Sequence, residues 1–139
     1  MTESLEAIRY TADVVVTTTD GHVLLIERGW EPFKGQWALP GGYVDPGETS
    51  RAAAARELAE EASVYAAPEE LTQVGVFDQP HRDPRGRFVT VAYQLTVISG
   101  LPIKAGDDAT RAEWWPLSDL PPLAFDHADI IRAAVAASH

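Results

Sequence analysis

The distribution of apolar and polar residues predicts several short strands and two helices. Residues 9–19 are rich in valine and threonine and predict a strand, and residues 23–27 return as its antiparallel partner after an Asp20-Gly21 turn. Apolar side chains alternate again over residues 88–99, which favours a half-buried strand. Further strands are predicted at 37–39, 72–78 and 112–116. About six strands are therefore expected.

Two other segments have a helical pattern. The first runs from Ser50 to about Ala62, with Thr49 as a suitable N-cap and Leu58 on an apolar face that can be buried. The second, residues 125–137, is alanine-rich and amphipathic. Helices interleaved with strands predict an α/β fold in which a mixed sheet lies between helices. No repeat or linker divides residues 1–139, so a single domain is expected.

Composition and charge narrow the class of protein. The 139 residues suffice for one domain with a hydrophobic core, and 45% of them are hydrophobic. A net charge of −10 disfavours a nucleic-acid-binding surface, which needs clustered basic residues. The absence of cysteine excludes disulfides and thiolate chemistry. Neither a signal peptide nor a membrane-spanning apolar run is visible, so a cytoplasmic protein without membrane contact is expected.

Three carboxylates are concentrated on one part of the first predicted helix. Glu57, Glu60 and Glu61 stand at positions i, i+3 and i+4, which places them within about a third of the helix circumference. Like charges at that spacing repel each other, and a bound cation would relieve the repulsion. Carboxylate oxygens next to a glycine- and proline-rich loop favour Mg²⁺ or Mn²⁺. A solvated acidic face is the alternative, because glutamates on a helix usually face water.

The residues around these glutamates resemble the signature of the Nudix family, the Nudix box. That signature is glycine, five residues, glutamate, seven residues, Arg-Glu, an aliphatic residue, any residue, Glu-Glu, any residue, glycine and an aliphatic residue. Residues 42–64 match it in register at Gly42, Glu48, Arg56, Glu57, Leu58, Glu60, Glu61 and Val64. Ser63 departs from it by replacing the glycine that ends the helix, so either mild strain at this position or a different helix end is expected.

The resemblance implies both a fold and a chemistry. The implied Nudix fold is an α/β/α sandwich, and the implied reaction is hydrolysis of a nucleoside diphosphate linked to another group. Divalent ions assist this reaction by withdrawing charge from the phosphates and acidifying water. The resemblance assigns Mg²⁺ or Mn²⁺ to Glu57, Glu61 and the backbone carbonyl of Gly41. Glu60 is either a fourth ligand or a carboxylate just outside the ligands.

The resemblance also assigns supporting roles within the catalytic machinery. Arg56 is expected to orient Glu57 or Glu60, or to pair with Glu48, rather than to touch substrate. Glu48 is expected to be structural or to contact the metal ligands from outside. The general base is open. The resemblance allows either a glutamate of the box or a residue outside it, where the candidates are Asp107, Asp108 and Glu113. Asp108 is preferred because it is nearer the strand that follows, although a solvated loop aspartate is an equal alternative.

A second informative segment, residues 77–95, holds a basic patch in an otherwise acidic chain. The patch consists of His81, Arg82, Arg85 and Arg87. Arg82, Asp83 and Arg85 are candidates for binding the phosphates or a ribose of a substrate. A polar hairpin loop with solubilising arginines is the alternative. The segment that begins at Pro80, and Ala124-Phe125-Asp126-His127, resemble the ADP-ribose pyrophosphatase branch of the family, and also relatives that only sense ADP-ribose.

Further candidate contacts precede the box. Arg28 follows the second predicted strand and is placed to reach a phosphate, although a surface arginine fits the pattern equally. Among Trp30, Phe33 and Trp37, which flank the glycine-rich loop, one is expected to stack on adenine, and Trp30 is the candidate. The Trp114-Trp115 pair is expected to serve packing, because buried aromatic residues usually do so first.

The sequence therefore predicts a Mg²⁺- or Mn²⁺-dependent Nudix hydrolase whose preferred substrate is ADP-ribose, split into AMP and ribose 5-phosphate. One alternative is a pyrophosphatase for nucleoside triphosphates, oxidised nucleotides or another nucleotide sugar. The other, from a different class, is a non-catalytic sensor of ADP-ribose-like ligands. The intact glutamates of the box favour the enzyme. A small nucleotide is the expected partner, and a homodimer that uses the N-terminal strand is also expected.

Overall fold

The chain folds around one mixed sheet. The computed structural model describes residues 4–138. The strands are β1 (Ile8–Thr18), β2 (His22–Arg28), β3 (Trp37–Ala38), β4 (Gly41–Tyr43), β5 (Thr72–Phe77), β6 (Arg87–Val97) and β7 (Ala109–Pro116). The helices are α1 (Ser50–Ala62) and α2 (His127–Ala137), with a 3₁₀ turn at Pro68–Glu70. Within the described range, neither helix is long and apolar enough to cross a membrane.

The sheet is mixed because its two long strands run in parallel. β1 pairs with β6 from Ile8 opposite Arg87 to Thr18 opposite Val97. The strand order is β3-β2-β1-β6-β5, and the pairs β2–β3, β1–β2 and β5–β6 are antiparallel. β4 pairs with β1, and β7 pairs with β2, also in antiparallel fashion. β1 is therefore the strand to which most of the sheet is attached.

Alternate side chains of the central strand pack against different helices. Val14 and Val16 of β1 belong to the core cluster that includes Leu58 of α1. Val15, which points the other way, belongs to the cluster that includes Ile130 of α2. Successive side chains of a strand point to opposite faces of a sheet, so the two helices cover the two faces. The predicted α/β/α sandwich is confirmed.

Some predicted boundaries differ from the structure. The sequence pattern does not predict β4, because Gly41 and Gly42 have little strand propensity. β7 begins at Ala109 rather than at residue 112 and includes a register shift against β2. α2 begins at His127 rather than Phe125, because Phe125 has a left-handed backbone with φ 53°. The other strands differ from the predicted ranges by one or two residues.

Both ends of α1 have defined caps. The Thr49 hydroxyl accepts a hydrogen bond from the N–H of Ala52 at 3.1 Å, as its N-cap pattern predicts. Ser63 at the other end is left-handed, with φ 59° and ψ 33°, and its N–H donates to the Ala59 carbonyl at 3.1 Å. Glycine adopts this conformation freely, whereas a residue with a Cβ loses about 1 kcal/mol. The expected strain at the helix end is therefore present.

Candidate active site

A cleft of about 170 Å³ opens beside β1, at the part of the strand that pairs with β4. Its walls come from β1, β2, β4, α1 and α2, and from the loops before β6 and β7. The lining residues are Thr11, Asp13, Ile26, Arg28, Gly29, Trp30, Leu39, Gly41, Gly42, Glu61, Arg82, Asp83, Arg85, Phe88, Asp108, Phe125 and His127. Residues from widely separated parts of the sequence therefore meet here, including most of the predicted site residues.

Arg56 connects the loop and the helix of the box from behind the cleft. Its guanidinium donates to both carboxylate oxygens of Glu48 and to Oε1 of Glu57, each at 2.9 Å. It also donates to the Tyr43 carbonyl at 2.9 Å and to Glu60 Oε2 at 3.3 Å. The hydrogen bonds from Arg56 lower the pKa of Glu48 to about 2. The predicted pairing of Arg56 with Glu48 is present, and Arg56 orients the glutamates without lining the cleft.

Glu57 and Glu61 form a buried pair of carboxyl groups beside β4. The Glu57 side chain is 14% exposed, and its charge acts on the neighbouring carboxyl group of Glu61. A Cβ at Gly42 would lie 2.6 Å from the Glu57 carboxyl carbon, so a side chain there would displace the Glu57 carboxylate. The N–H of Gly41 donates to Glu61 Oε2 at 3.3 Å. Burial, and next the charge of Glu57, raise the pKa of Glu61 to about 9.

Glu60 lies apart from this pair. Its side chain is 58% exposed, and its carboxylate is bonded to Arg56 on the outer side of the helix. Among residues 4–138, no three acidic or histidine side chains lie close enough together to hold a metal ion by themselves. The structure therefore brings together two of the three predicted metal-binding glutamates. The third remains on the surface because Arg56 occupies the space beside it.

The loop before β7 brings Asp108 to the cleft. The N–H groups of Lys104 and Gly106 donate to the last-turn carbonyls of α1 at 3.0 and 2.9 Å. These bonds satisfy carbonyls that a helix end leaves free, and they fix the loop against α1. Asp108 lines the cleft as a result. The other candidates for the general base, Asp107 and Glu113, lie outside the lining.

Arg28 reaches the cleft and also anchors the loop that follows β2. Its Nε donates to the Pro32 carbonyl at 2.7 Å, and its guanidinium lies 4.9 Å from the ring centre of Phe125. Within residues 4–138 this is the only side-chain hydrogen bond of Arg28, so its other N–H groups are available to a ligand. Burial, and next the charge of Arg85, lower the pKa of Arg28. Trp30 lies at the rim, with 67% of its surface exposed.

The basic patch contains one anchoring arginine and one arginine that faces the cleft. The Arg82 side chain is 4% exposed and donates to both carboxylate oxygens of Asp126, at 2.9 and 2.6 Å. Arg82 thus lines the cleft, but its hydrogen bonds go to the Asp126 carboxylate. Arg85 donates to both oxygens of Asp83 at 3.1 and 2.8 Å and lies 4.7 Å from the ring centre of Phe88. Asp83 orients Arg85, whose side chain stays 38% exposed.

The remaining candidates lie outside the cleft lining. His81 and Arg87 border the outer side of the loop before β6, where Arg87 pairs with Glu6 at 3.2 Å. Trp37 packs edge-on against Trp115, with 5.2 Å between ring centres, in the core under α2. Trp37 and Trp115 therefore serve packing, as predicted for the second of them.

Two buried polar residues that line the cleft, Asp13 and His127, have no role assigned to them by the sequence analysis. Asp13, which is 7% exposed, accepts the Thr90 hydroxyl at 2.6 Å, and Nε2 of His127 lies 3.9 Å from the same carboxylate. Nδ1 of His127 accepts the N–H of Leu39 at 3.0 Å. Burial lowers the pKa of His127, which favours the neutral ring. An aspartate inside the apolar run of β1 is the sequence signal for Asp13, because unpaired charges are rarely buried.

Comparisons with known proteins agree with this architecture. A model of the NUDIX domain matches residues 7–134. The ADP-ribose pyrophosphatase of Methanocaldococcus jannaschii is 48% identical over 113 residues, which cover 81% of this chain and 65% of that protein. The ADPR responsive transcriptional repressor NtrR of Acinetobacter baylyi is 34% identical over 133 residues, which cover 91% of this chain and 52% of the repressor.

A solved structure has the same fold. The NUDIX domain of Shewanella oneidensis NrtR, in a cocrystal structure with ADP ribose, superposes with a TM-score of 0.88 at 32% identity, covering 97% of this chain and 91% of that one. This chain belongs to the Nudix family. The predictions of family and fold are thereby confirmed. The chain spans 65% and 52% of the length of the two curated relatives, so their activities are properties of longer proteins.

Proposed function

We propose that this protein is a divalent-metal-dependent Nudix pyrophosphohydrolase that splits ADP-ribose into AMP and ribose 5-phosphate. The observation that carries the proposal is a single cleft lined by Glu61 of a buried carboxyl pair, by the cationic Arg28 and Arg85, and by Asp108. Such a cleft combines oxygen ligands for a cation with donors for the phosphates it would act on. Hydrolysis of a phosphoanhydride needs both.

A hard divalent cation fits the carboxyl pair. The donors near it are oxygens, and burial and the charge of Glu57 disfavour ionisation of Glu61 unless a cation is bound beside it. We assign Glu57, Glu61 and the Gly41 carbonyl as the ligands and Glu60 as an outer carboxylate. When bound, Mg²⁺ or Mn²⁺ supplies charge withdrawal from the phosphate oxygens and a more acidic water.

Side chains around the cleft bind and orient the substrate in this proposal. The guanidinium groups of Arg28 and Arg85 suit the paired oxygens of a pyrophosphate. Trp30, at the rim, offers a stacking surface for adenine. We assign Asp108 as the general base, because it lines the cleft and carries a carboxylate that can take the proton of the attacking water.

Other residues support these groups. Arg56 and Glu48 hold Glu57 in place from the far side of the helix. Asp83 orients the arginine that faces the cleft, and Arg82 fixes the same loop to the start of α2. Groups that lock the rotamers of catalytic residues are needed because small displacements are costly in rate.

The choice of ADP-ribose rests on similarity. A relative with 48% identity is an ADP-ribose pyrophosphatase, and a structurally similar NUDIX domain was crystallised with ADP ribose. The resemblance of residues 80–87 to that branch of the family supports the same choice. A substrate panel in Mg²⁺ tests it, with ADP-ribose, NADH, diadenosine polyphosphates, dGTP and 8-oxo-dGTP resolved by chromatography. AMP from ADP-ribose alone is expected, and cleavage of another member instead would contradict the substrate assignment.

Glu61→Gln tests the catalytic centre. The substitution removes a charged metal ligand at nearly constant volume, so kcat is expected to fall by more than about a hundredfold while the fold is retained. The matched control is Glu69→Gln, an exposed position on the 3₁₀ turn, which is expected to keep wild-type rates. A Glu61→Gln variant that turns over at near wild-type rates would refute the ligand assignment.

A ligand sensor is the second candidate. Similarity to one ADPR responsive transcriptional repressor, and to a NUDIX domain crystallised with ADP ribose, favours it. Such a module would bind ADP-ribose through the same arginines without cleaving it. Calorimetric binding of ADP-ribose with no AMP released in either metal would establish the sensor. Release of AMP at rates abolished by Glu61→Gln would exclude it.

We also propose that the protein is a homodimer. The first strand supports this, because Ile8 and Tyr10 are 57% and 44% exposed. Within residues 4–138, Ile8 pairs with β6 along one edge only, because β4 joins β1 from Thr11 onwards and the Val44 N–H bonds to the Tyr10 carbonyl. An apolar, half-paired strand is a suitable place for contact between subunits.

A further inference from the structure

The chain changes strand partner at Leu39, next to the catalytic centre. Before it, Trp37 and Ala38 pair with β2, and after it, Gly41 pairs with β1. The N–H of Leu39 therefore has no strand partner, and a buried N–H without an acceptor is costly. Nδ1 of His127, 88 positions later in the chain, accepts that N–H at 3.0 Å.

On the other side of the ring, Nε2 of His127 faces Asp13, and Asp13 packs against Gly41. Since Nδ1 accepts a hydrogen bond, Nε2 carries the proton of the neutral ring, and it lies 3.9 Å from Asp13 Oδ2. Asp13 in turn lies against Gly41, where any Cβ would overlap its Oδ1. His127 and Asp13 thus hold the Leu39–Gly41 backbone from two sides.

The held segment controls the position of the carboxyl pair. Gly41 donates its N–H to Glu61 Oε2, and Gly42 packs against the carboxyl group of Glu57. A displacement of this backbone would therefore move a donor of Glu61 and the surface on which Glu57 rests. His127 is 4% exposed and lines the cleft, and within residues 4–138 its side-chain hydrogen bond goes to Leu39 rather than to either glutamate.

We propose that His127 is a positioning residue for the catalytic centre, whose Nδ1 fixes the Leu39–Gly41 backbone and thereby the Glu57–Glu61 pair. The effect on catalysis rests on the proposed hydrolase function. The effect on the backbone and on metal affinity does not depend on any substrate.

Two substitutions separate this role from simple packing. In His127→Asn, Oδ1 takes the place of Nδ1 and keeps an acceptor for Leu39. In His127→Gln, the amide takes the place of Nε2, so the polar contact towards Asp13 is kept and the acceptor for Leu39 is lost. His22→Asn is the control, because His22 pairs with Asp20 on the surface, away from the cleft.

The first measurements need no substrate. Amide exchange at Leu39, followed by NMR, and Mn²⁺ affinity, followed by electron paramagnetic resonance, are recorded for all variants. His127→Gln is expected to speed exchange at Leu39 and to weaken Mn²⁺ binding by about tenfold, while His127→Asn and His22→Asn stay near wild type. Wild-type exchange and affinity in the Gln variant would overturn the proposal.

Turnover of ADP-ribose is the second measurement. The Gln variant is expected to lose about tenfold or more in kcat with little change in KM, and the Asn variant is expected to recover most of it. If the wild type cleaves nothing, the exchange and Mn²⁺ results still decide the positioning role, and only the proposed function fails. Thermal melts check folding, and loss of folding in both variants would mean that His127 is purely structural and would refute the proposal.

Discussion

Glu61 is the residue whose environment differs most from that of a surface carboxylate. The carboxyl group of Glu57 and the backbone N–H of Gly41 act on it, and the charge of Asp13 also opposes its ionisation. Burial and repulsion raise its pKa from 4.5 to about 9. In the metal-free protein at neutral pH, the folded state therefore keeps a proton that the unfolded state releases.

The pH dependence of stability follows from that difference. Because the folded pKa of Glu61 exceeds the unfolded one, its favourable contribution is complete below the unfolded value and is lost as the pH rises towards the folded value. His127 acts oppositely, since its lowered pKa costs stability only as the pH falls below about 6.5. Between pH 7 and 9, the free energy of unfolding in EDTA is therefore expected to fall with rising pH.

Urea unfolding at pH 7, 8 and 9 measures this decline. Glu61→Gln has no ionisable group at this position and should show a flatter profile than the wild type. Added Mg²⁺ should restore stability at pH 9 in the wild type more than in the variant, because a ligand that binds only the folded state stabilises it. Equal slopes for the two proteins would show that Glu61 does not titrate in this range.

Single residues of the box were predictable because the signature fixes both type and spacing. Glu48, Arg56 and Glu57 lie within nine positions on one loop and helix, so local geometry determines their contacts. Asp13 and His127 were not predictable in the same way. Their contacts connect residues 77 and 88 positions away, and no local pattern specifies such distances.

At the scale of elements, one ion pair joins the loop before β6 to the first turn of α2. Arg82 and Asp126 are 4% and 15% exposed and bonded through two parallel hydrogen bonds. Asp126 is the N-cap residue of α2, yet its side chain makes no hydrogen bond to the first turn of the helix, because both of its oxygens accept hydrogen bonds from Arg82. The residue after Asp126 is His127, so this pair also fixes the start of the helix that brings His127 to the cleft.

Arg82→Met is expected to lower the free energy of unfolding by about 3 kcal/mol, because it leaves the Asp126 carboxylate buried without a partner. The double variant Arg82→Met, Asp126→Leu should lose less, since neither charge remains. Arg132→Met is the control, because Arg132 and Asp129 form an exposed pair that contributes less than about 1 kcal/mol. Urea denaturation measures all three, and additive losses in the double variant would contradict the expected coupling.

The element boundaries show what the sequence pattern could and could not specify. β1 and α1 were predictable because apolar periodicity and a good N-cap act locally. β4 was missed because pairing with β1, rather than propensity, makes a strand of Gly41–Tyr43. α2 starts late because the left-handed Phe125 packs between Phe33 and His127, a tertiary contact.

At the scale of the whole molecule, the oligomeric state proposed above can be measured in solution. The exposed apolar side chains at the start of the described chain are Leu5, Ile8 and Tyr10. Light scattering is expected to give about 30 kDa, twice the chain mass of 15.1 kDa. Ile8→Lys should shift the mass towards the monomer, because a charge would be desolvated at the contact. A wild-type mass near that of one chain would refute the dimer.

The parallel pairing of β1 with β6 has a consequence for biosynthesis. β1 leaves the ribosome long before β6, the strand with which it pairs along its whole length. Leu39 is likewise synthesised 88 residues before His127, which accepts its N–H in the folded protein. Contacts of such high sequence separation slow folding, because the entropy of loop closure must be lost first. The nascent chain therefore displays the valines of β1 during much of translation. It is expected to depend on chaperones at that stage, and the cleft that holds His127 should be the last part of the molecule to form.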